Sequence, residues 1–502
     1  MVDIDISWIT NTFEGYTSVL PLVILLLGAV IVPGIQMAFK RRSLTCAVSL
    51  ITVSVSGMFT VLLLLGDYSG MYYSLLGFDA FSGLMLVLFH IVAFLAILIS
   101  GASREVTRLH QGAYYSLLMI ATAGMGAVAM ATDLLVIFVG VEMVSIPSYA
   151  LTALKRKDPR SAEAALKYVV IGGLSSGLTI YGISMLFGLT GTTNIFDVTA
   201  AVSAQGYTAA LVIAVATMVA GYGFKIAAVP FHTWAPDVYE GAATPVSMFL
   251  ASGSKKMGIV VYLKIFLVMF VALQASQPFM VESMQYMFAI MAAVTMTVGN
   301  VVAIVQNNIK RMLAYSSIAQ AGYMLMVMAI MSQYALTGAM YYMFAHVFMK
   351  GGAFIVVAAL ITAGVGENIS DYRGLAKRSR LMAAVMLLSL LSLAGIPPLG
   401  GFTAKFFLFS AAVVPGGPGS AVEAQWIWLA FVAILNSAIS LYYYARVIKA
   451  MYIEKGTTEE KLKVPVAFSI AAVLCVIGMI ILGVYPGPLF HLCMEAAQLL
   501  TV

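Results

Sequence analysis

Residues 381–410 read LMAAVMLLSLLSLAGIPPLGGFTAKFFLFS, and Lys405 is the single charged side chain among them. A hydrocarbon core is crossed by about 20 apolar residues in helix, so this stretch is long enough to span a bilayer. It also carries its own interruption. Gly395, Pro397, Pro398, Gly400 and Gly401 cluster at its middle, where proline removes a backbone donor and glycine weakens the helix. Backbone groups in lipid must find partners within the protein, which restricts spanning structures to helices and closed barrels, and a run this long without period-2 alternation is helical. The expected element is a broken transmembrane helix with one buried lysine.

Similar gaps in charge recur along the chain. No Asp, Glu, Lys or Arg occurs between Glu14 and Lys40 or between Arg42 and Asp67. Of the 502 residues, 62% are hydrophobic and 10% charged, against about 25% charged in soluble domains. Soluble folds are excluded. Apolar runs between charged or Gly/Pro-rich breaks give spans near 17–39, 44–65, 81–100, 112–131, 133–153, 162–190, 208–228, 243–271, 286–306, 312–331, 334–363, 381–413, 425–447 and 465–486. The expected fold is an all-α polytopic membrane protein of about fourteen transmembrane helices, forming a single membrane domain over 1–502. The segment before the first span carries Asp3, Asp5 and Glu14 and no base, the reverse of a signal peptide, so the first helix is expected to be retained.

Charge tests the count, because one helix more or fewer would exchange the sides of every later loop. With the N-terminus outside, the loops assigned to the inside hold Lys40, Arg41, Arg42, Arg104, Arg108, Lys155, Arg156, Lys157, Arg160, Lys310, Arg311, Arg373, Lys377, Arg378, Arg380, Arg446, Lys449, Lys455, Lys461 and Lys463. Those are 20 of the 27 basic residues. Loops assigned to the outside hold acids such as Asp67, Asp79, Asp197, Glu282 and Glu423 but no Lys or Arg, as the positive-inside rule requires. Both termini are therefore expected outside a cell membrane. The net charge of +6 is a surplus facing anionic lipid rather than a nucleic-acid footprint.

Seven lysines remain, Lys167, Lys225, Lys255, Lys256, Lys264, Lys350 and Lys405, all within expected helices, together with one intramembrane acid, Glu142. A basic side chain at a helix centre costs about 2.5–3.5 kcal/mol even on the lenient insertion scale, so its retention points to use. None of the seven is arginine. Guanidinium keeps its proton in proteins, whereas a desolvated ammonium can give its proton up, so buried lysines can load and release protons. For Lys167, Lys256 and Lys264, snorkelling or plugging a polar gap is the stronger reading. Lys225 lies in GYGFKIAAVPFHTWAPD beside Pro230, as Lys405 lies beside its own break, and paired discontinuous helices point to a transport pathway.

Counting gives a repeat. Lys225 is on the seventh helix and Lys405 on the twelfth, five apart, and five is odd. Two five-helix repeats, helices 4–8 (111–271) and 9–13 (286–447), are therefore expected in opposite orientations, preceded by helices 1–3 (1–110), followed by helix 14 (465–486), and with helices 7, 8 and 12 broken. Cys46, Cys475 and Cys493 lack the spacing of a metal cluster or disulfide framework, and no GxGxxG turn or Walker loop occurs. No metal or cofactor site is expected in this chain.

Four stretches, SAEAALKYVVIGGLSSGLTIYGISMLFGLTGTTNI, FKIAAVPFHTWAPDVYEGAATPVSMFLASGSKK, GNVVAIVQNNIKRMLAYSSIAQAGYML and DYRGLAKRSRLMAAVMLLSLLSLAGIPPLGGFTAKFFLF, resemble the antiporter-like N subunit of proton-pumping NADH:quinone oxidoreductase, respiratory complex I, including archaeal deazaflavin-dependent relatives. The resemblance covers about residues 80–450. It implies a proton-translocating membrane subunit of a respiratory quinone oxidoreductase, itself without a redox site, driven by electron transfer in partner subunits of the membrane arm and beyond. Flavin, iron–sulfur clusters and quinone are then expected only in those partners. Carried over by motif, Glu142 in FVGVEMVSIPSYA is the intramembrane glutamate, Lys225 its paired lysine, Lys255 the central lysine and Lys405 the terminal lysine. Lys167, His232, His346 and Lys350 fall beside the implied path. Gln320 stands where the family often has histidine, and Lys256 beside Lys255 leaves the two as alternatives for the central relay. The rival reading is a subunit of a multisubunit Na+/H+ antiporter.

Overall fold

Thirteen helices long and apolar enough to cross a membrane stand in the computed structural model, among the residues it describes: 7–13, 15–106, 110–155, 158–206, 208–414, 416–417, 425–456 and 458–498. They run from Thr17–Phe39 to Val466–Val484, and each matches one expected span. The remaining expected span, the twelfth, is built of two shorter pieces, Arg380–Ala394 and Gly400–Ala411, so each of the fourteen expected spans has a helical counterpart among the described residues. Asp3, Asp5, Glu14, Arg108, Arg156, Lys157 and Glu423 lie outside the described residues.

Contacts between loops confirm the parity of the crossings. Lys155 reaches Glu105 at 3.3 Å, Arg160 lies 3.8 Å from Glu367, and Lys310 lies 3.6 Å from Glu367, all joining loops of the basic set. Arg373 pairs with Glu454 at 2.6 Å and Lys377 with Glu459 at 2.6 Å in the same way. The other end gathers the acidic loops. A two-stranded antiparallel hairpin, Gly70–Tyr72 with Leu76–Phe78, bridges to Ala131, Asp133 bridges to Asn194, and the Ser203 and Ser276 hydroxyls meet at 2.9 Å. One helix more or fewer would have mixed the two sets.

Three spans form the centre. Most of the apolar window is buried in the eighth (Thr244–Leu273, 89%), tenth (Ile309–Ile330, 94%) and eleventh (Gln333–Thr362, 89%), against 28% in the second (Arg42–Leu65). Close packing needs small residues. A Cβ on Gly299 would stand 2.6 Å from the Ala319 nitrogen, and one on Gly322 2.6 Å from the Met296 nitrogen, so the ninth span (Pro278–Ile304) and the tenth approach backbone to backbone.

The interruptions differ in form. The seventh span, Ala209–Ile226, stops at Ala227 in left-handed backbone (φ 56°), and after a short loop a helix of eight residues, Trp234–Gly241, follows. The twelfth stops at Gly395 (φ 90°), where glycine accepts a backbone that side chains resist. The eighth has no gap; its hydrogen-bond ladder is interrupted by two π-helical segments, Leu250–Ser254 and Leu263–Leu267. The first ends immediately before Lys255, and the second contains Lys264. Such bulges recur at functional sites.

Candidate functional site

Glu142 sits on the fifth span, Leu134–Thr152, and its Oε1 accepts the Ser176 hydroxyl of the sixth span (Pro159–Thr190) at 2.6 Å. Lys225, in the last turn of the seventh, donates to Ser145 Oγ at 2.9 Å. Ser145 is three residues beyond Glu142, so the acid and the serine that holds the lysine share a helix face. Among the described residues no ion pair within 4 Å joins Glu142 to Lys225. Both line one cavity of about 10 Å³ with Tyr149, Ser175 and Tyr222, the room of about one water. The pair is open but bridgeable.

At the centre Lys255 is buried, its Nζ has no hydrogen-bond partner among the described residues, and it lies 5.5 Å from the Tyr239 ring. Lys256 points elsewhere, donating to the Ala251 carbonyl at 2.7 Å and meeting His346 Nδ1 of the eleventh span, while His346 Nε2 has no partner among the described residues. One turn on, Lys350 donates to the Leu313 carbonyl (2.9 Å) and to Ser316 Oγ (2.8 Å), and Ser316 bonds the Tyr444 hydroxyl. The sequence motif could not separate Lys255 from Lys256; among the described residues the structure leaves the Lys255 Nζ without a hydrogen-bond partner and gives the Lys256 Nζ a histidine.

Lys405 is held by the break itself. The Leu393 and Ala394 carbonyls, released where the helix stops, accept from its Nζ at 2.8 and 3.1 Å, and Ser437 Oγ accepts at 2.8 Å. An ammonium there answers both the orphaned acceptors and the negative end of the helix dipole. Lys405 also lies 5.3 Å from the Tyr323 ring, whose hydroxyl accepts from Asn300 at 3.0 Å; Asn300 is bound in turn by Asn436 and Tyr443. Sequence reading missed this Tyr–Asn network, and the signal was an Asn in each of two apolar runs, GNVVAI and ILNSAIS.

Three other expected residues lie apart from this line. Lys167 is 42% exposed at its side chain and pairs with Glu163 (2.6 Å) and Asp237 (2.7 Å) at the basic end. His232 is half-buried in the loop after the seventh break, with Nδ1 unpartnered among the described residues. Lys264 borders a cavity of about 160 Å³ near the hairpin that Asp79 also lines. At the basic end, burial would raise the Asp237 carboxyl, but hydrogen bonds from Lys167 and Arg311 hold its pKa below the ordinary value.

The buried lysines and the two broken helices lie within a stretch of sequence shared with a known family. The signature described as NADH:quinone oxidoreductase/Mrp antiporter, TM, covers residues 131–440. The chain belongs to that family. It is 42% identical over 81% of its length to F(420)H(2) dehydrogenase subunit N of Methanosarcina mazei, covering 82% of that protein. It is likewise 42% identical over 82% of its length to NADH-quinone oxidoreductase subunit N of Moorella thermoacetica, covering 83% of it. A chain of respiratory complex I from Thermus thermophilus superposes with a TM-score of 0.77 at 27% identity, over 94% of this chain and 99% of that one. In this NADH:quinone oxidoreductase/Mrp antiporter family member, the likeness spans the whole line from Glu142 to Lys405.

Proposed function

We propose that this chain is the N-type membrane subunit of an energy-converting quinone oxidoreductase, translocating protons along Glu142, Lys225, Lys255 and Lys405. The line of buried lysines from one broken helix, through the interrupted eighth span, to the other supports this function. Mutual repulsion among charged lysines in a low-dielectric interior lets a change at one end propagate stepwise. Glu142 supplies the gate. With its carboxylate turned to Ser176 the pair is open; approach to Lys225 would hold a proton on the amine, and withdrawal would free it.

Moving one charge against 100 mV costs about 2.3 kcal/mol, which electron transfer in partner subunits supplies. Flavin, iron–sulfur clusters and quinone belong to those partners, and this chain contributes no redox site. The polypeptide lies in the cell membrane with its basic loops facing the cytoplasm and both termini outside. Residues 111–271 and 286–447 act as the two transport halves, between helices 1–3 (1–110) and helix 14. Lys255 is the central relay, and Lys256, Lys350, His346 and His232 border the path, with Lys167 at its basic end.

Replacing Lys255 and Lys256 separately by Met in the assembled complex, and measuring donor-driven proton uptake in inverted vesicles, tests the reading. Lys255→Met should lower the protons taken up per electron, with Lys256→Met the milder. Parental uptake in Lys255→Met would contradict it.

A further inference from the structure

The helix Trp234–Gly241 ends and the eighth span begins at Thr244 within a hinge of two alanines, Ala242 and Ala243. Helix ends leave backbone groups unpaired, and here a C-terminus and an N-terminus adjoin. Two charged side chains from elsewhere in the chain answer them. Lys310, on the tenth span and fully buried, donates to the carbonyls of Glu240 (2.6 Å) and Ala242 (2.8 Å). Glu105, from the loop between the third and fourth spans and 10% exposed, accepts the Thr244 N–H at 2.8 Å. Each charge has the sign that its helix end favours. On a third side, a Cβ on Gly241 would meet Ala164 Cβ at 2.6 Å and the Arg160 carbonyl at 2.7 Å, so the sixth span closes on the hinge.

Lys255 lies eleven residues beyond Thr244, about 16 Å along a helix at 1.5 Å per residue. Among the described residues its Nζ has no hydrogen-bond partner, so the helix backbone sets where it stands. Packing holds its length, and the hinge anchors its N-terminal end. Burying two charges would be poor economy for stability alone, since apolar residues of similar volume often serve as well.

We propose that Glu105 and Lys310 are positioning residues for proton transfer, clamping the hinge from the N–H side and the carbonyl side so that the eighth span presents Lys255 to the tenth and eleventh spans. The clamp joins the two halves, since Lys310 belongs to the second and the hinge to the first. It rests on the reading of Lys255 as a relay.

The test uses the whole complex in inverted vesicles and reads assembly on native gels, donor oxidation, and protons taken up per electron, for Glu105→Ala, Glu105→Gln and Lys255→Met. Glu105→Ala should keep donor oxidation yet lower the proton ratio to the level of Lys255→Met. Glu105→Gln should fall between, because its amide oxygen still accepts from Thr244 but no longer answers Lys310. Parental ratios in both Glu105 variants, with loss in Lys255→Met, would overturn the clamp and leave the relay standing. A parental ratio in Lys255→Met would overturn the relay reading itself. Should Glu105→Ala fail to assemble, Glu105→Gln decides: an intermediate ratio supports the clamp, while oxidation and uptake falling together, or loss of assembly, would make Glu105 a fold residue only.

Discussion

Ser176 and Ser145 divide Glu142 from Lys225: one serine donates to the acid, the other accepts from the lysine. Hydrogen bonds to charged groups are worth about 1.5–3 kcal/mol, enough to hold a carboxylate in one of two positions. Glu142→Gln should therefore resemble loss of Lys225 in donor-driven uptake, because the amide has no charge to bring to the amine. Lys264→Met should be milder, since that lysine borders an outer cavity away from the line; equal loss in both would remove the distinction. At the basic end, Asp237 and Glu105 titrate the fold. For Glu105, burial would raise the carboxyl, but the Lys310 and Lys155 charges and the Thr244 N–H hold it low. A carboxyl lowered in the folded state contributes stability above its unfolded pKa of about 4, lost as pH falls through the folded value. Thermal unfolding of the detergent-solubilised complex should show the parent losing more stability than Asp237→Asn between pH 5 and pH 3, both values being about the carboxylate range. The charged residues of the candidate site were legible as buried groups because a lysine or glutamate in an apolar run is rare. Their serine, tyrosine and asparagine partners were not, because hydroxyls and amides occur in membrane helices for many reasons, and Lys310 read as a loop residue although its side chain is wholly buried.

Among elements, the twelfth span shows how sequence becomes site. Its Gly/Pro cluster ends one helix at Ala394 and starts another at Gly400, and the released carbonyls become the seat of Lys405. That break was readable from the glycines and prolines. The π segments of the eighth span were not, because its sequence carries no breaker between Pro245 and Lys255 except Gly253, and the extra residue per turn is absorbed by packing between the central helices. Packing of the ninth span on the tenth gives a direct test. Gly322→Ala puts a methyl against the Met296 backbone, which cannot retreat as a flexible side chain would, and overpacking of this kind costs about 1–3 kcal/mol. The variant should assemble less and lower the unfolding temperature of the complex; an unchanged temperature would mean that the two helices can separate at no cost.

In the whole molecule, the proposed transport geometry depends on the parity of the crossings, since two halves of five helices each, 111–271 and 286–447, would stand inverted relative to one another. Reporter fusions after Arg42, Lys377 and Lys455 should report the cytoplasm, and fusions after Asp197 and Ser276 the opposite face; one inverted result in mid-chain would break the arrangement. The isolated chain should show no flavin or iron–sulfur absorption and no dehydrogenase activity, and stoichiometric iron or flavin in it would reverse that assignment. If lysines carry the proton, Lys225 is the position where their removal should show. Lys225→Met removes the titratable group while keeping much of the volume, and Lys225→Arg keeps a charge that is not readily released. Donor-driven proton uptake in inverted vesicles, read beside assembly on native gels, should be impaired in both variants with the complex intact. Near-normal uptake in both assembled variants would contradict the lysine relay.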